Sequence, residues 1–164
     1  MENFSARDER GLFVKTFHAD WLSSEGISLS FRESYYSQSH KQVIRGMHFQ
    51  APPHDHEKLV YVTSGEILDV ILDLRTAEPT YGQCFTIRLS EFGSSVLIPK
   101  GCAHGFLTLS DSATVVYNVT TEYNPQADQG IRWDSFGFSW PVTTPILSAR
   151  DKTFIGLDQF QSPF

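Results

Sequence analysis

Short runs of β-branched and aromatic residues, each closed by glycine, proline, serine or aspartate, recur along the middle of this sequence. Such runs at nearly regular spacing are typical of a β-sandwich or a β-barrel. The intervals between them leave no room for the crossover helices that a parallel α/β sheet requires. We therefore predict six or more short strands, with runs at 58–63, 66–74, 84–89, 95–99, 105–109 and 114–121.

The two ends of the chain are less regular. Strands are predicted around 11–17 and 27–37, with a helical turn near Asp20. Towards the C-terminus, the Ser148 hydroxyl can accept from an unpaired backbone N–H, which favours a short helix there. The length of 164 residues suits one domain, and we expect a single domain over 1–164.

The charge balance limits the class of partner. The chain has 13 Lys and Arg against 19 Asp and Glu, a formal net charge of -6. A protein that coats nucleic acid takes its affinity from a basic face, so no nucleic-acid partner is expected. A small anion can still bind at a locally basic site.

The N-terminal residues and the cysteines indicate the compartment. Residues 1–10 are charged and lack the apolar block of a signal peptide. No stretch approaches the ~20 apolar residues of a spanning helix, so no membrane partner is expected. Cys84 and Cys102 follow no metal or redox spacing and are interpreted as reduced, small hydrophobic residues. We expect a cytoplasmic protein.

A pattern between residues 93 and 104 matches the second cupin motif as far as its histidine. Its positions are Gly93, Pro99, Gly101 and His104, and Thr108 stands where the motif usually ends in Asn. The first cupin motif is partly present: His54 and His56 supply its histidine pair, but Lys58 occupies the place of the metal-binding Glu. A charged ammonium has no lone pair for a metal, so no metal site is predicted.

From about residue 8 to residue 151, the chain resembles the dTDP-4-dehydrorhamnose 3,5-epimerase family, nucleotide-sugar epimerases that invert carbons beside a 4-keto group. The matching segments are RGLF (10–13), IRGMHFQ (44–50), KLVYVTSGEILDVILDLR (58–75), PTYGQ (79–83), IPKGCAHGFLTLSD (98–111), VVYNVTTEYNP (115–125), GIRWD (130–134) and PILSARD (145–151). The resemblance implies an all-β, cupin-type jelly-roll barrel or β-sandwich with short terminal helices.

The resemblance also implies a reaction and its partners. We expect a cofactor-independent epimerase that acts on a small-molecule nucleotide-diphosphate sugar, in deoxysugar or surface polysaccharide biosynthesis. A homodimer is implied as well, because family members exchange N-terminal strands that complete the partner's site.

Epimerisation beside a keto group needs a base, a positive group for the enolate and an acid on the opposite face. His48 lies where the family keeps its base, and imidazole suits this role because its pKa lies near working pH. The resemblance pairs His48 with Asp151, which would fix its tautomer as in hydrolytic triads. Asp69 is a competing partner, unless it points into solvent.

Lys58 and Tyr117 complete the predicted catalytic set. A fixed cation such as Lys58 stabilises a developing enolate. Tyr117 alternates with Val115 and Val119, so the pattern alone predicts a core aromatic, whereas the resemblance makes it the acid. Tyr123 is the second candidate for the acid and could instead close the pocket.

The resemblance assigns further residues to substrate binding. Arginine suits a diphosphate because its fork pairs with phosphate oxygens. Regular alternation would put Arg45 and His48 on opposite faces of a strand, and a bulge at Gly46 would reconcile them. The predicted binding residues are Arg10, Phe13, Glu33, Arg45, Gln50, His104, Tyr123 and Arg150.

Several positions depart from the family pattern and keep alternatives open. Glu33 and Tyr35 replace two polar residues of a Gln-x-Asn-x-Ser pattern, and Lys15 stands where the family commonly has Glu. A CDP- or GDP-linked sugar, or inversion at C3 alone, therefore stays open, as does a nucleotide-sugar 3,4-ketoisomerase. A metal-binding cupin is a further alternative, with candidate ligands His48, His54, His56 and His104.

Overall fold

Eleven β-strands form most of the regular structure in the computed structural model, which describes residues 1–164. They are β1 (Phe4–Asp8), β2 (Gly11–Lys15), β3 (Glu33–His40), β4 (Ile44–Gln50), β5 (Lys58–Ser64), β6 (Glu66–Asp73), β7 (Cys84–Ser90), β8 (Val96–Ile98), β9 (Cys102–Thr108), β10 (Ser112–Val119) and β11 (Asp128–Gly130). A short helix, α1 (Ala19–Ser24), lies near the N-terminus, and two 3₁₀ turns, Asp151–Thr153 and Leu157–Gln159, lie near the C-terminus. The predicted all-β fold with short terminal helices is confirmed.

Two antiparallel sheets build the jelly roll. One has four strands in the order β3-β10-β5-β8, and the other has five in the order β11-β4-β9-β6-β7. The strands β1 and β2 form a separate two-stranded hairpin. All the strand pairs are antiparallel, as expected for short strands without crossover helices.

Alternation along the strands divides the core into two layers. On β6, Ile67 and Ile71 pack between the two sheets, whereas Val70 and Leu72 pack on the outer face of the five-stranded sheet. The outer face is covered by C-terminal apolar side chains, including Trp133, Phe136, Phe138, Trp140 and Leu147. This division leaves the inward positions of β4, β5, β9 and β10 free to line a cavity.

Gly46 marks a bulge in β4, as the sequence predicts. Arg45 pairs with Phe106 and His48 pairs with His104, so three steps along β4 face two along β9. At Gly46 the backbone has φ +143, and a Cβ would lie 2.6 Å from the Gly105 Cα. Only glycine fits at this position. The extra residue of the bulge shifts the alternation along β4, so that Arg45 and His48 face the same side of the sheet.

The hairpin β1–β2 projects from the two sheets. Phe4, Leu12 and Phe13 are 63%, 39% and 59% exposed. Its base is held at Ser95, whose carbonyl accepts from the N-terminal ammonium of Met1 at 2.9 Å. An isolated two-stranded hairpin is at best marginally stable in water, so these apolar side chains call for a covering surface.

The strand boundaries differ from the prediction in places. β9 begins three residues before 105, and β3 occupies 33–40 rather than 27–37. The strands β1, β4 and β11 were not among the predicted runs, because none of them has a regular period-two alternation. Cys102 is buried and Cys84 half-buried, both as free thiols. The helices of the structure are too short to cross a membrane.

Candidate active site

Two adjoining cavities, of about 330 and 290 Å³, lie between the sheets. Tyr35, His48 and Lys58 border both of them. The outer cavity also contains the predicted residues Glu33, Gln50, Tyr123 and Arg150. The inner one contains Arg45, His104 and Tyr117.

His48 and Asp151 form a pair at the wall of both cavities. His48 Nε2 donates to Asp151 Oδ1 at 2.9 Å, and the Gly46 N–H donates to Oδ2 at 3.2 Å. Asp151 is itself fixed, because its N–H donates to Ser148 Oγ at 3.0 Å. Burial would raise the pKa of Asp151, but the hydrogen bonds from His48, Gly46 and Ser148 outweigh it and lower the pKa. The ionised carboxylate leaves His48 Nδ1 as the nitrogen that can accept a proton.

Lys58 brings a buried ammonium to the same place from the opposite sheet. It begins β5 and is only 6% exposed. Its Nζ donates to the His48 carbonyl oxygen at 3.1 Å. Burial lowers the pKa of Lys58 to about 8, against the opposing effect of Asp128 and Asp69. The side chain is therefore mostly a cation at neutral pH, placed where an enolate oxygen can meet it.

Tyr117 faces the inner cavity from β10. Its ring stacks on Tyr35 with centroids 4.8 Å apart, and its hydroxyl lies 3.2 Å from Ser37 Oγ. Burial raises the pKa of Tyr117 well above its usual value, although the Ser37 hydrogen bond lowers it. The phenol stays protonated and can serve as a proton donor.

Asp69 belongs to a second histidine, not to His48. It is fully buried, and its Oδ1 accepts from His104 Nε2 at 2.7 Å. The interpretation of Asp69 as a solvent-facing residue is therefore wrong, because alternation along β6 turns it inward. His104 contacts the Tyr117 ring edge-on, with centroids 6.0 Å apart. The structure thus places His104 at the inner cavity, as predicted.

The rim of the outer cavity contains a carboxylate that the sequence argument missed. Asp128 Oδ1 pairs with Arg150 Nη2 at 2.7 Å, and its Oδ2 accepts from the Tyr123 hydroxyl at 3.2 Å. Glu33 in turn accepts from the Tyr123 N–H at 2.7 Å. Asp128 lies opposite Gln50 in the β11–β4 ladder, but β11 has only three residues and gives no alternation signal. Tyr123 thus lies at the rim of the outer cavity, held through both its hydroxyl and its N–H.

Arg45 and Gln50 are both held by protein atoms. Arg45 Nε donates to Ser39 Oγ at 2.8 Å and its Nη2 donates to the Gln38 carbonyl at 3.3 Å, and the side chain borders the inner cavity. Gln50 Oε1 accepts from the Asn124 N–H at 2.6 Å, and its Nε2 donates to the His54 carbonyl at 2.8 Å. Gln50 borders the outer cavity, but its amide is already hydrogen-bonded to the loops that contain His54 and Asn124.

Arg10 and Phe13 lie outside these cavities. Arg10 is at the turn of the β1–β2 hairpin, with its side chain 86% exposed and paired with Asp8 at 2.5 Å. Phe13 is 59% exposed on β2. Within a single chain, Arg10 therefore does not line the cavities that Arg45, Lys58 and Arg150 border.

The four histidines proposed as metal ligands are not brought together. No three His, Cys, Asp or Glu side chains form a group that could hold a metal ion. His48 and His104 each pair with an aspartate, and His54 Nε2 accepts from Asn124 Nδ2 at 3.1 Å. Burial, with Lys58 nearby, lowers the pKa of His56 to about 3, so its ring is neutral. This arrangement does not favour the metal-binding alternative.

Comparison with known proteins identifies relatives of this chain. The dTDP-4-dehydrorhamnose 3,5-epimerase family model matches residues 1–159. The Methanothermobacter thermautotrophicus dTDP-4-dehydrorhamnose 3,5-epimerase is 42% identical over 153 residues, 90% of this chain and 82% of that protein.

Two solved structures share the fold. The Bacillus anthracis dTDP-4-dehydrorhamnose 3,5-epimerase, with TDP and PPi bound, has a TM-score of 0.91 and 38% identity, covering 95% of this chain and 91% of that one. The Legionella pneumophila dTDP-6-deoxy-D-glucose-3,5-epimerase, in complex with dTDP-4-keto-L-rhamnose, has a TM-score of 0.92 and 34% identity, covering 98% and 87%. The chain therefore belongs to the dTDP-4-dehydrorhamnose 3,5-epimerase family of epimerases.

Proposed function

We propose that this epimerase inverts C3 and C5 of a dTDP-linked 4-keto-6-deoxyhexose, with His48, Lys58, Tyr117 and Asp151 as its catalytic machinery and no bound cofactor. The observation that carries the proposal is the placement of His48 and Tyr117 on different sheets around one cavity. A base on one side of a sugar ring and an acid on the other produce inversion, whereas one group on one side produces only exchange.

The first step removes a proton from a carbon beside the keto group. His48 Nδ1 takes the proton while Nε2–H stays on Asp151, as the 2.9 Å hydrogen bond allows. The C–H electron pair forms a double bond between that carbon and C4, and the carbonyl π electrons move onto the keto oxygen, which becomes an enolate oxygen. Lys58 stabilises this oxygen, because a buried cation acts most strongly where charge develops.

The second step returns a proton to the other face. Tyr117 gives its phenolic proton to the enolate carbon, the keto group reforms, and Tyr117 is left as a phenolate. Solvent then removes the proton from His48 and restores the proton on Tyr117. No electron is gained or lost, so the cycle needs no redox cofactor. The same cycle serves C5 and C3 in turn, because the keto group at C4 acidifies both positions.

The nucleotide part of the proposal rests on the relatives and on the rim. The Bacillus anthracis structure contains TDP, which supports a dTDP-linked substrate for this chain. Arg150 at the rim suits a diphosphate because its planar fork pairs with phosphate oxygens. Glu33 and Tyr35 border the same cavity and are the positions where a different base would be selected.

A homodimer is part of the same proposal. The exposed hairpin carries Arg10 and Phe13 away from the cavities of its own chain. In an exchanged dimer, the partner's hairpin would supply these two side chains to the nucleotide. A cytoplasmic location accords with two free cysteines in the chain. The product would then serve deoxysugar or surface polysaccharide biosynthesis.

The test is incubation of the purified protein with a dTDP-linked 4-keto-6-deoxyhexose in D₂O, followed by NMR. We expect deuterium at C3 and C5 with inversion at both. Deuterium at C3 alone would support a 3-epimerase, and a shifted carbonyl position would support the ketoisomerase. CDP- and GDP-linked sugars are run in parallel. If folded protein exchanges no substrate, the proposal is wrong.

A further inference from the structure

Ser37 is the hydrogen-bond partner of the Tyr117 hydroxyl within the protein. The Ser37 Oγ to Tyr117 Oη distance is 3.2 Å, and either oxygen can be the donor. Tyr117 is only 7% exposed, and both side chains border the inner cavity. Ser37 Oγ makes no other side-chain hydrogen bond, so the pair is isolated and its proton arrangement can change.

The position of Ser37 follows from the register of the sheet. In the β3–β10 ladder, Ser37 lies opposite Val115 and Tyr35 lies opposite Tyr117. Tyr35, Ser37 and Tyr117 therefore share the inward face, with Ser37 as the diagonal neighbour of Tyr117. Stacking of Tyr35 on Tyr117 at 4.8 Å limits the ring's tilt and keeps the hydroxyl beside Ser37.

The chemistry of the proposed acid determines the direction of this hydrogen bond. When Tyr117 transfers its proton to the enolate carbon, the O–H bond breaks and its electron pair stays on the phenolic oxygen. A serine hydroxyl then has one available role, which is to donate to that oxygen. Burial raises the pKa of Tyr117 and opposes formation of a phenolate, whereas the Ser37 hydrogen bond lowers the pKa and favours it.

We propose that Ser37 is a positioning residue for the acid step: its hydroxyl aims the Tyr117 proton at the substrate and donates a hydrogen bond to the phenolate as it forms. This inference rests on the proposed function, because it assumes that Tyr117 is the acid. Ser37 keeps its own proton throughout, so the atoms and charges of the cycle are unchanged.

The consequence is a specific defect in Ser37→Ala. Proton removal by His48 does not involve Ser37, so exchange of substrate protons with D₂O continues. Return of a proton to the opposite face weakens, so the enolate is more often reprotonated by His48 on the original face. The ratio of deuterium exchange to inversion therefore rises. A hydrogen bond to a charged group of this kind corresponds to about a ten- to hundredfold fall in the inversion rate.

The experiment compares Ser37→Ala, Ser37→Thr and Ser34→Ala with the wild-type protein. Ser34 lies on the exposed face of the same strand and receives the same substitution, which makes it the matched control. We expect Ser37→Ala to lower kcat and raise the exchange-to-inversion ratio with KM within about threefold of wild type. Ser37→Thr restores the hydroxyl and both values, and Ser34→Ala behaves as wild type.

Three outcomes overturn the inference. The first is a Ser37→Ala protein that inverts at the wild-type rate, and the second is one that loses exchange and inversion in equal proportion. The third is a Ser37→Thr protein whose inversion rate falls as much as that of Ser37→Ala. In each case, melting temperatures must show that the variants are folded. An inactive wild-type protein is a different result, because it contradicts the proposed function itself and not the role of Ser37.

Discussion

Asp151→Asn replaces one buried carboxylate oxygen by an NH₂ group. We expect it to inactivate His48 as a base by shifting the ring proton from Nε2 to Nδ1. In the native site, Asp151 Oδ2 accepts from the Gly46 N–H and Oδ1 accepts from His48 Nε2. In the variant the amide oxygen must face Gly46, because that N–H can only donate. The amide NH₂ then faces His48, so Nε2 becomes the acceptor and the ring proton lies on Nδ1. The nitrogen that should take the substrate proton is already protonated.

The size of the effect follows from what the base contributes. A positioned general base is worth ~10²–10⁴ in rate, and the same exchange in a serine protease triad costs ~10⁴ through the same change of tautomer. The His48 side chain is 31% exposed and can be reached by water, which lets some molecules recover the active tautomer. We expect kcat to fall by about 10²–10³. Asp151 is 3% exposed and lies behind His48, so KM should change little.

The assay is steady-state inversion followed by NMR, with Ser148→Ala as the control. Ser148→Ala removes the hydroxyl that holds the Asp151 N–H but keeps the carboxylate, so it should cost far less. His48→Ala and the double variant complete a cycle, and we expect the double variant to be no slower than His48→Ala. An Asp151→Asn protein within tenfold of wild type, or losses that multiply in the double variant, would refute the tautomer argument.

Three further predictions follow from the structure. Lys58→Met should abolish turnover and stabilise the protein at pH 7, because burial lowers the pKa of Lys58 to about 8 and its charge is costly in the folded state. Urea unfolding should show that this gain in stability shrinks as pH rises from 8 towards 10.5, where the folded protein has lost the charge. Wild-type kcat should fall above pH 8 for the same reason. Arg10→Ala and His48→Ala are each expected to be inactive, yet their mixture should recover about a quarter of wild-type activity if hairpins are exchanged, and none if each site uses its own hairpin. Asp73→Asn should lose about 2–4 kcal/mol in urea unfolding, because Asp73 is 1% exposed and pairs with Arg75 at 2.6 Å. Burial would raise the pKa of Asp73, but its hydrogen bonds lower it to about 2, so this contribution should be present above pH 4 and lost as pH falls towards 2.

The strands that could be predicted are those whose side chains alternate between two environments. β5, β6 and β10 contain β-branched residues in the core, and their predicted positions agree with the structure to within a few residues. β1 has no buried face in this chain, so no pattern marks it. β11 has three residues and is defined by its pairing with β4, which a local pattern does not reveal.

The site residues likewise divide into those that could be predicted from the sequence and those that could not. His48 and Asp151 are 103 positions apart and were paired by resemblance, and the structure brings them to 2.9 Å. The partner of Asp69 depended on the β6–β9 register, which places it diagonally across from His104 and could not be deduced from either strand alone. Asp128 was missed because its role depends on a contact between distant parts of the chain, the ion pair with Arg150, which no local pattern reveals.

The distribution of charge within the site indicates where the chemistry is placed. At the rim of the outer cavity Arg150 is already paired with Asp128, and Glu33 adds a second carboxylate, so the positive charge of Arg150 is compensated there. Lys58 and Arg45 have no carboxylate within ion-pair distance, and both border the inner cavity beside His48 and Tyr117. The two cations without a carboxylate in ion-pair contact are therefore those that border the inner cavity, where the enolate is proposed to form. A diphosphate at the rim must compete with Asp128 for Arg150. In the proposed exchanged dimer, a second arginine from the partner's hairpin would favour binding there without weakening the field that acts on the enolate.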